Sequence, residues 1–132
     1  PLINSSGGNS GSQSATLVIM ALTTGDVTLA DWLRVVRREL CMGLLLGGFL
    51  GTIGFVAAYI VLGSGMLALV LPITILLVVL CGTLVGGMLP LVFRRLGLDP
   101  ALMSSPFVTG ILDILGIVIY MNVAIAVSHF AA

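Results

Sequence analysis

Charge is what this sequence has least of. Asp, Glu, Lys and Arg make up 8% of its 132 residues, where soluble domains carry about 25%. A fold with so few charges cannot cover its own surface in water, so lipid is its natural solvent. Lysine is missing altogether. The basic residues are Arg34, Arg37, Arg38, Arg94 and Arg95, and they form no broad basic face of the kind that nucleic-acid binding needs. Cys41 and Cys81 are too few for a structural zinc site, and both sit in apolar runs where cysteine behaves as a small hydrophobe. The lone His129 falls near the end of an apolar run, the place of an interfacial polar tip. The chain starts at Pro1 without a charged signal-peptide region, as expected for a piece of a larger protein.

What is abundant is apolar. Hydrophobic residues make up 59% of the chain, and mean hydropathy is +1.28. Residues 40–62, 66–93 and 107–130 each supply the ~20 mostly apolar residues of a transmembrane helix. Pro72 and Pro90 predict a kink in the middle span, or its end near Pro90. The turn at 63–65 is tight. Residues 1–24 differ, because Asn4 to Ser14 is nearly all Ser, Gly, Asn and Gln before the apolar stretch ATLVIMAL. Composition alone fits a flexible linker there as well as a polar helix.

Residues 25–39 and 94–106 hold every arginine, and two spans separate them. Both segments therefore lie on one side, which the positive-inside rule makes the cytoplasm. Asp26 to Arg38 has an acidic start, a basic end and Trp32 at headgroup level, the pattern of an interfacial helix. The expected fold is an all-α membrane protein, a single domain over residues 1–132. It comprises a bundle of three full transmembrane helices plus one partial, polar, pore-lining helix. Gly43, Gly47 and Gly51, like Gly82 and Gly86, recur every four residues. Small residues at that spacing let helix backbones approach closely.

Asp113 carries the chemistry. It lies ~9 Å into the last span, counted from Phe107. A carboxylate at mid-span costs ~2.5–3.5 kcal/mol on insertion scales. No full span holds a basic residue, so water, a cation or a proton must compensate. Thr109, Gly110, Gly116, Ile117 and Tyr120 share its helical face at 100° per residue, whereas Asn122 falls opposite and is expected to make an interhelical hydrogen bond. If residues 1–24 are helical, Asn9, Gln13, Thr16 and Met20 form one stripe, preceded by Gly7 and Gly8. Amide, hydroxyl and carbonyl oxygens suit a hard cation, and Mg²⁺ keeps most of its waters and uses one or two carboxylates.

The runs GGNSGSQS (residues 7–14), LDPA (98–101) and DILG (113–116), in this order, resemble the membrane domain of MgtE-type magnesium channels and transporters. The resemblance spans essentially the whole chain. It implies a multi-pass protein of the bacterial inner membrane and a homodimer with five membrane helices per subunit. It also implies a dimer-axis pore for Mg²⁺ and other divalent cations, lined by the second and fifth helices. Residues 1–24 then match the latter part of the second helix and 107–130 the fifth. Asp113, Asn9, Gly8 and Thr109 match metal-binding positions, with Gln13, Gly116 and Ser105 on the pore wall. Met20 stands where the family usually has an arginine. By the same comparison the N-domain, CBS pair, connecting helix, first span and start of the second lie outside these residues. A non-conducting assembly module, in which Asp113 and the Asn/Gln stripe only join helices, is the alternative. Aspartyl intramembrane proteolysis would want a second acid within a span, and the sequence shows none there.

Overall fold

A computed structural model describes residues 1–63, 65–102 and 104–131, the side chains of residues 66, 67, 130 and 131 excepted. Ser64, the middle of the expected tight turn, lies outside the described residues. All regular structure among the rest is helical: α1 (Leu2–Thr24), α2 (Trp32–Leu62), the short α3 (Gly65–Ala68), α4 (Val70–Arg95) and α5 (Ser105–Ala131). Single 3-10 turns sit at Leu29–Asp31 and Pro100–Leu102. Three helices, over Leu29–Leu62, Val70–Arg95 and Ser105–His129, are long and apolar enough to cross a membrane, with mean hydropathies of 2.1, 2.5 and 2.2.

The polar tract of residues 4–14 is helix rather than linker. Its glycines explain this, because they dock on α4. A Cβ on Gly82 would stand 2.6 Å from the Gly7 carbonyl oxygen, and one on Gly86 would strike the Gly11 carbonyl. Gly7 meeting Gly82 and Gly11 meeting Gly86 makes α1 and α4 parallel. α2 runs antiparallel to α4 along its own glycine ladder, with Gly43 against Leu80, Gly47 against Leu76 and Gly51 against Pro72. Two backbones therefore approach α4 closely, and it becomes the central helix. Ile75, Val78 and Val79 along it are fully buried.

The interfacial helix and the first full span are one element. From Trp32 to Leu62 no proline intervenes, and the arginine-rich segment consists of good helix formers. The 31 residues extend about 46 Å, longer than the ~30 Å hydrocarbon core of a bilayer, and Arg34, Arg37 and Arg38 all lie in its first two turns. Thr28 and Asp31 form a reciprocal capping box on the 3-10 turn that precedes it. Pro72 falls in the first turn of α4, where a missing N–H costs nothing. The helix does not end near Pro90 but continues through it to Arg95.

Both arginine-bearing segments lie at one end of the bundle. Val35 of α2, Leu91 of α4, and Val18 and Leu22 of α1 form one buried cluster there. Arg94 Nη1 donates to the Leu22 carbonyl at 2.7 Å, satisfying one of the carbonyls that a helix end leaves free. Gly25, at φ 82°, closes α1 just beyond.

Candidate functional site

α1 and α5 cross antiparallel, and small polar residues mark the seam. A Cβ on Gly8 would sit 2.9 Å from Thr109 Cγ2, and one on Gly116 would sit 3.0 Å from Asn4 Oδ1. One turn past Gly8, Ser12 Oγ and Thr109 Oγ1 share a hydrogen bond of 3.0 Å, and the Ser12 hydroxyl also lies 3.4 Å from the Ser105 carbonyl. Gly8 is thus the place where the two helices come close enough for hydroxyls to meet. Beneath the seam Ala15, Val108 and Leu112 form an apolar floor, with Val85 and Leu89 of α4 against it.

The stripe Asn9, Gln13, Thr16 and Met20 runs along the outer side of α1 and is largely open. Asn9, Ser12, Gln13, Thr16 and Leu17 of α1, with Ser105 of α5, line an open cavity of about 440 Å³. Asn9 Nδ2 donates to Ser5 Oγ, and the Thr16 hydroxyl donates to the Ser12 carbonyl one turn back. The Asn9 carbonyl oxygen and the Gln13 amide are left to face outward. In a bundle that is otherwise apolar, such a surface cannot rest against lipid without losing the hydrogen bonds that water would supply.

Asp113 lies one helical turn beyond Thr109 on α5 and is half-buried. Among the described residues no hydrogen bond or ion pair reaches its carboxylate. The antiparallel register places it between the Gly8–Thr109 and Asn4–Gly116 crossings, about one turn before the polar stripe begins at Asn9. The residues singled out from sequence thus fall in three places. Gly8, Thr109 and Gly116 make the crossing; Asn9, Gln13 and Ser105 line the open cavity; Asp113 stands alone beside both. Among the described residues no three of His, Cys, Asp and Glu come together. The described residues of one chain thus bring a single carboxylate, with neutral oxygens nearby, to this face.

Two side chains stand differently from expectation. Asn122 makes no interhelical hydrogen bond among the described residues. It donates Nδ2 to the Val118 carbonyl of its own helix at 2.8 Å, on an exposed side of α5. Glu39 escaped notice as the last residue of a loop, yet it is 2% exposed inside the bundle. The signal was its spacing: Glu39 lies four residues before Gly43 and continues the buried ladder of Gly43, Gly47 and Gly51.

The profile of the MgtE family, described as a divalent cation transporter, matches residues 1–123. A magnesium transporter MgtE of Thermus thermophilus is 45% identical over 126 residues, which cover 94% of this chain and 27% of that protein. Magnesium transporters MgtE of Bacillus subtilis and Enterococcus faecalis are 29% and 28% identical, over 98% and 93% of the chain. The chain spans 27–29% of the length of these curated relatives.

Proposed function

This chain belongs to the MgtE family of divalent cation transporters, and from that premise we propose that its α1–α5 face is one wall of a pathway for hydrated Mg²⁺. The observation that carries this is the open stripe of Asn9, Gln13 and Thr16 together with the Asp113 carboxylate, which has no partner among the described residues. Water and a cation satisfy both together, and lipid satisfies neither. Asp113 supplies the negative charge. Asn9 and Ser105 of the open cavity, with the Thr109 hydroxyl at the crossing, supply neutral oxygens for the waters of a hydrated ion. Magnesium fits such a sparse set, since it surrenders its waters reluctantly and needs few protein ligands.

A wall is not a tube. A second copy related by a two-fold axis would bring two Asp113 carboxylates to one site and match the charge of the ion. The arginine-bearing end of the bundle then faces the cytoplasm, as its basic excess favours, and the protein resides in the bacterial inner membrane.

The test is Mg²⁺ uptake into liposomes by the native protein and its Asp113→Asn variant. The amide keeps the shape and hydrogen-bonding capacity but removes the charge. Uptake is expected to fall by about two orders of magnitude, as loss of a charged ion ligand worth ~3 kcal/mol implies. Unchanged uptake by the Asp113→Asn variant would reject the site and favour an assembly role for the polar stripe.

A further inference from the structure

Between Asn4 and Ser14, α1 has no apolar side chain at all. Hydrophobic packing, which fixes the rotation of most helices, has nothing to grip there. Glycines set how closely α1 approaches its neighbours but not which way it turns. Rotation matters, because 100° about the helix axis would turn the stripe of Asn9, Gln13 and Thr16 into the apolar floor.

Glu39 meets α1 from behind that stripe. Ser14, buried at 6% exposure, donates its hydroxyl to Glu39 Oε2 at 2.6 Å. The carboxyl group has a place built for it. A Cβ on Gly87 of α4 would stand 2.7 Å from Glu39 Cγ and 3.2 Å from Cδ, so only glycine leaves the room. The Thr83 hydroxyl of α4 donates to the Glu39 backbone carbonyl at 3.0 Å and fixes α2 at the same level. One residue thus ties three helices together through neutral partners. Among the described residues the only ion pair is Arg34–Asp31, at the exposed start of α2. A carboxyl group buried this deeply among neutral partners is costly to desolvate.

We propose that Glu39 is a positioning residue for ion conduction. Its hydrogen bond to Ser14 sets the rotation of α1 and so holds the polar stripe toward the pathway. The proposal rests on the pore reading for what the stripe is for, but not for where it points.

Two readouts separate these claims. In the native protein carrying Cys41→Ala and Cys81→Ala, a Thr16→Cys substitution reports the orientation of the stripe through its reaction rate with a water-soluble methanethiosulfonate. Mg²⁺ uptake, with Asp113→Asn as control, reports the pathway. Glu39→Ala is expected to change the Thr16→Cys reaction rate and lower uptake, each by about tenfold, the factor a lost buried hydrogen bond gives. Glu39→Gln, whose carbonyl still accepts from Ser14 in the same space, is expected to restore both to within about twofold. Ser14→Ala removes only the donor and is expected to reproduce Glu39→Ala, and it decides the matter alone if Glu39→Ala does not fold. An unchanged thiol reaction rate in Ser14→Ala, or Gln serving no better than Ala, overturns the proposal. If Asp113→Asn leaves uptake intact while Ser14→Ala shifts the thiol rate and Glu39→Gln restores it, the pore reading falls and the positioning role stands.

Discussion

The contact between α1 and α4 is where a single methyl group would do most damage. On Gly82 a Cβ stands 2.6 Å from the Gly7 carbonyl oxygen, and on Gly86 it stands 2.7 Å from the Gly11 carbonyl carbon. In both cases the obstacle is backbone, so no rotamer change relieves it and α1 must move outward. Overpacking of this kind costs about 1–3 kcal/mol, against which alanine returns up to ~1 kcal/mol of helix propensity. Gly82→Ala and Gly86→Ala are therefore each expected to destabilise by about 1–2 kcal/mol. They lie one turn apart and press on the same helix, so one displacement relieves both, and the double variant should lose less than the sum. Gly48→Ala is the control. Nothing lies within 4 Å of the Cβ it would gain, and it should be neutral or stabilising. Thermal unfolding in detergent reads all four variants, with midpoints of the single α4 variants falling by about 2–8 °C. Gly82→Ala and Gly86→Ala as stable as the native protein would show that α1 does not rest on α4 as described.

Other consequences are local. Arg94→Gln removes the guanidinium from the Leu22 carbonyl at the end of α1 and should cost about 1–2 kcal/mol in the same unfolding assay; no loss would show that this end is capped by water. Replacing both partners of the Ser12–Thr109 hydrogen bond, as Ser12→Ala with Thr109→Val, should leave stability within about 1 kcal/mol, because no polar group is orphaned. If the proposed pathway runs along this face, the same pair should lower Mg²⁺ uptake in liposomes, because two oxygens leave it. Unchanged uptake would take Thr109 off the wall and leave it as packing.

The features readable in the sequence were those whose physics is local. Three apolar runs of span length need no partner to be recognised, and neither does the cost of Asp113 within the last of them. The glycine repeats also announced close backbone contacts, and they make them on both sides of α4. What stayed hidden depends on neighbours distant along the chain. A Ser/Gly/Asn tract is helical only because Gly82 and Gly86 accept its backbone, and nothing within residues 4–14 says so. Glu39 follows two arginines and reads as the last polar residue before a span. Only the packing of Ser14 and Gly87 around it makes it buried. Asn122 shows the converse: a polar residue in a span suggests a partner helix, yet among the described residues it bonds to its own backbone one turn back.

The exposed surfaces differ in kind, and that difference bears on assembly. Leu45, Phe49, Ile60 and Val61 of α2 are among the most open large side chains, and all are apolar, as a lipid-facing helix requires. The open side of α1 is polar from Asn9 to Thr16, and beside it α5 presents Asp113 together with the exposed Ile114 and Ile117. A carboxylate and apolar side chains on one open face suit neither bulk lipid nor bulk water. They suit an interface in which the isoleucines pack against protein while the oxygens line a narrow aqueous gap. Crosslinking is the direct check of the proposed pairing: in a background without Cys41 and Cys81, Ile117→Cys should form disulfide-linked dimers in membranes, whereas Ile60→Cys on the open apolar side of α2 should not. Dimers through Ile60→Cys alone would move the interface to α2 and leave the polar stripe without its second wall.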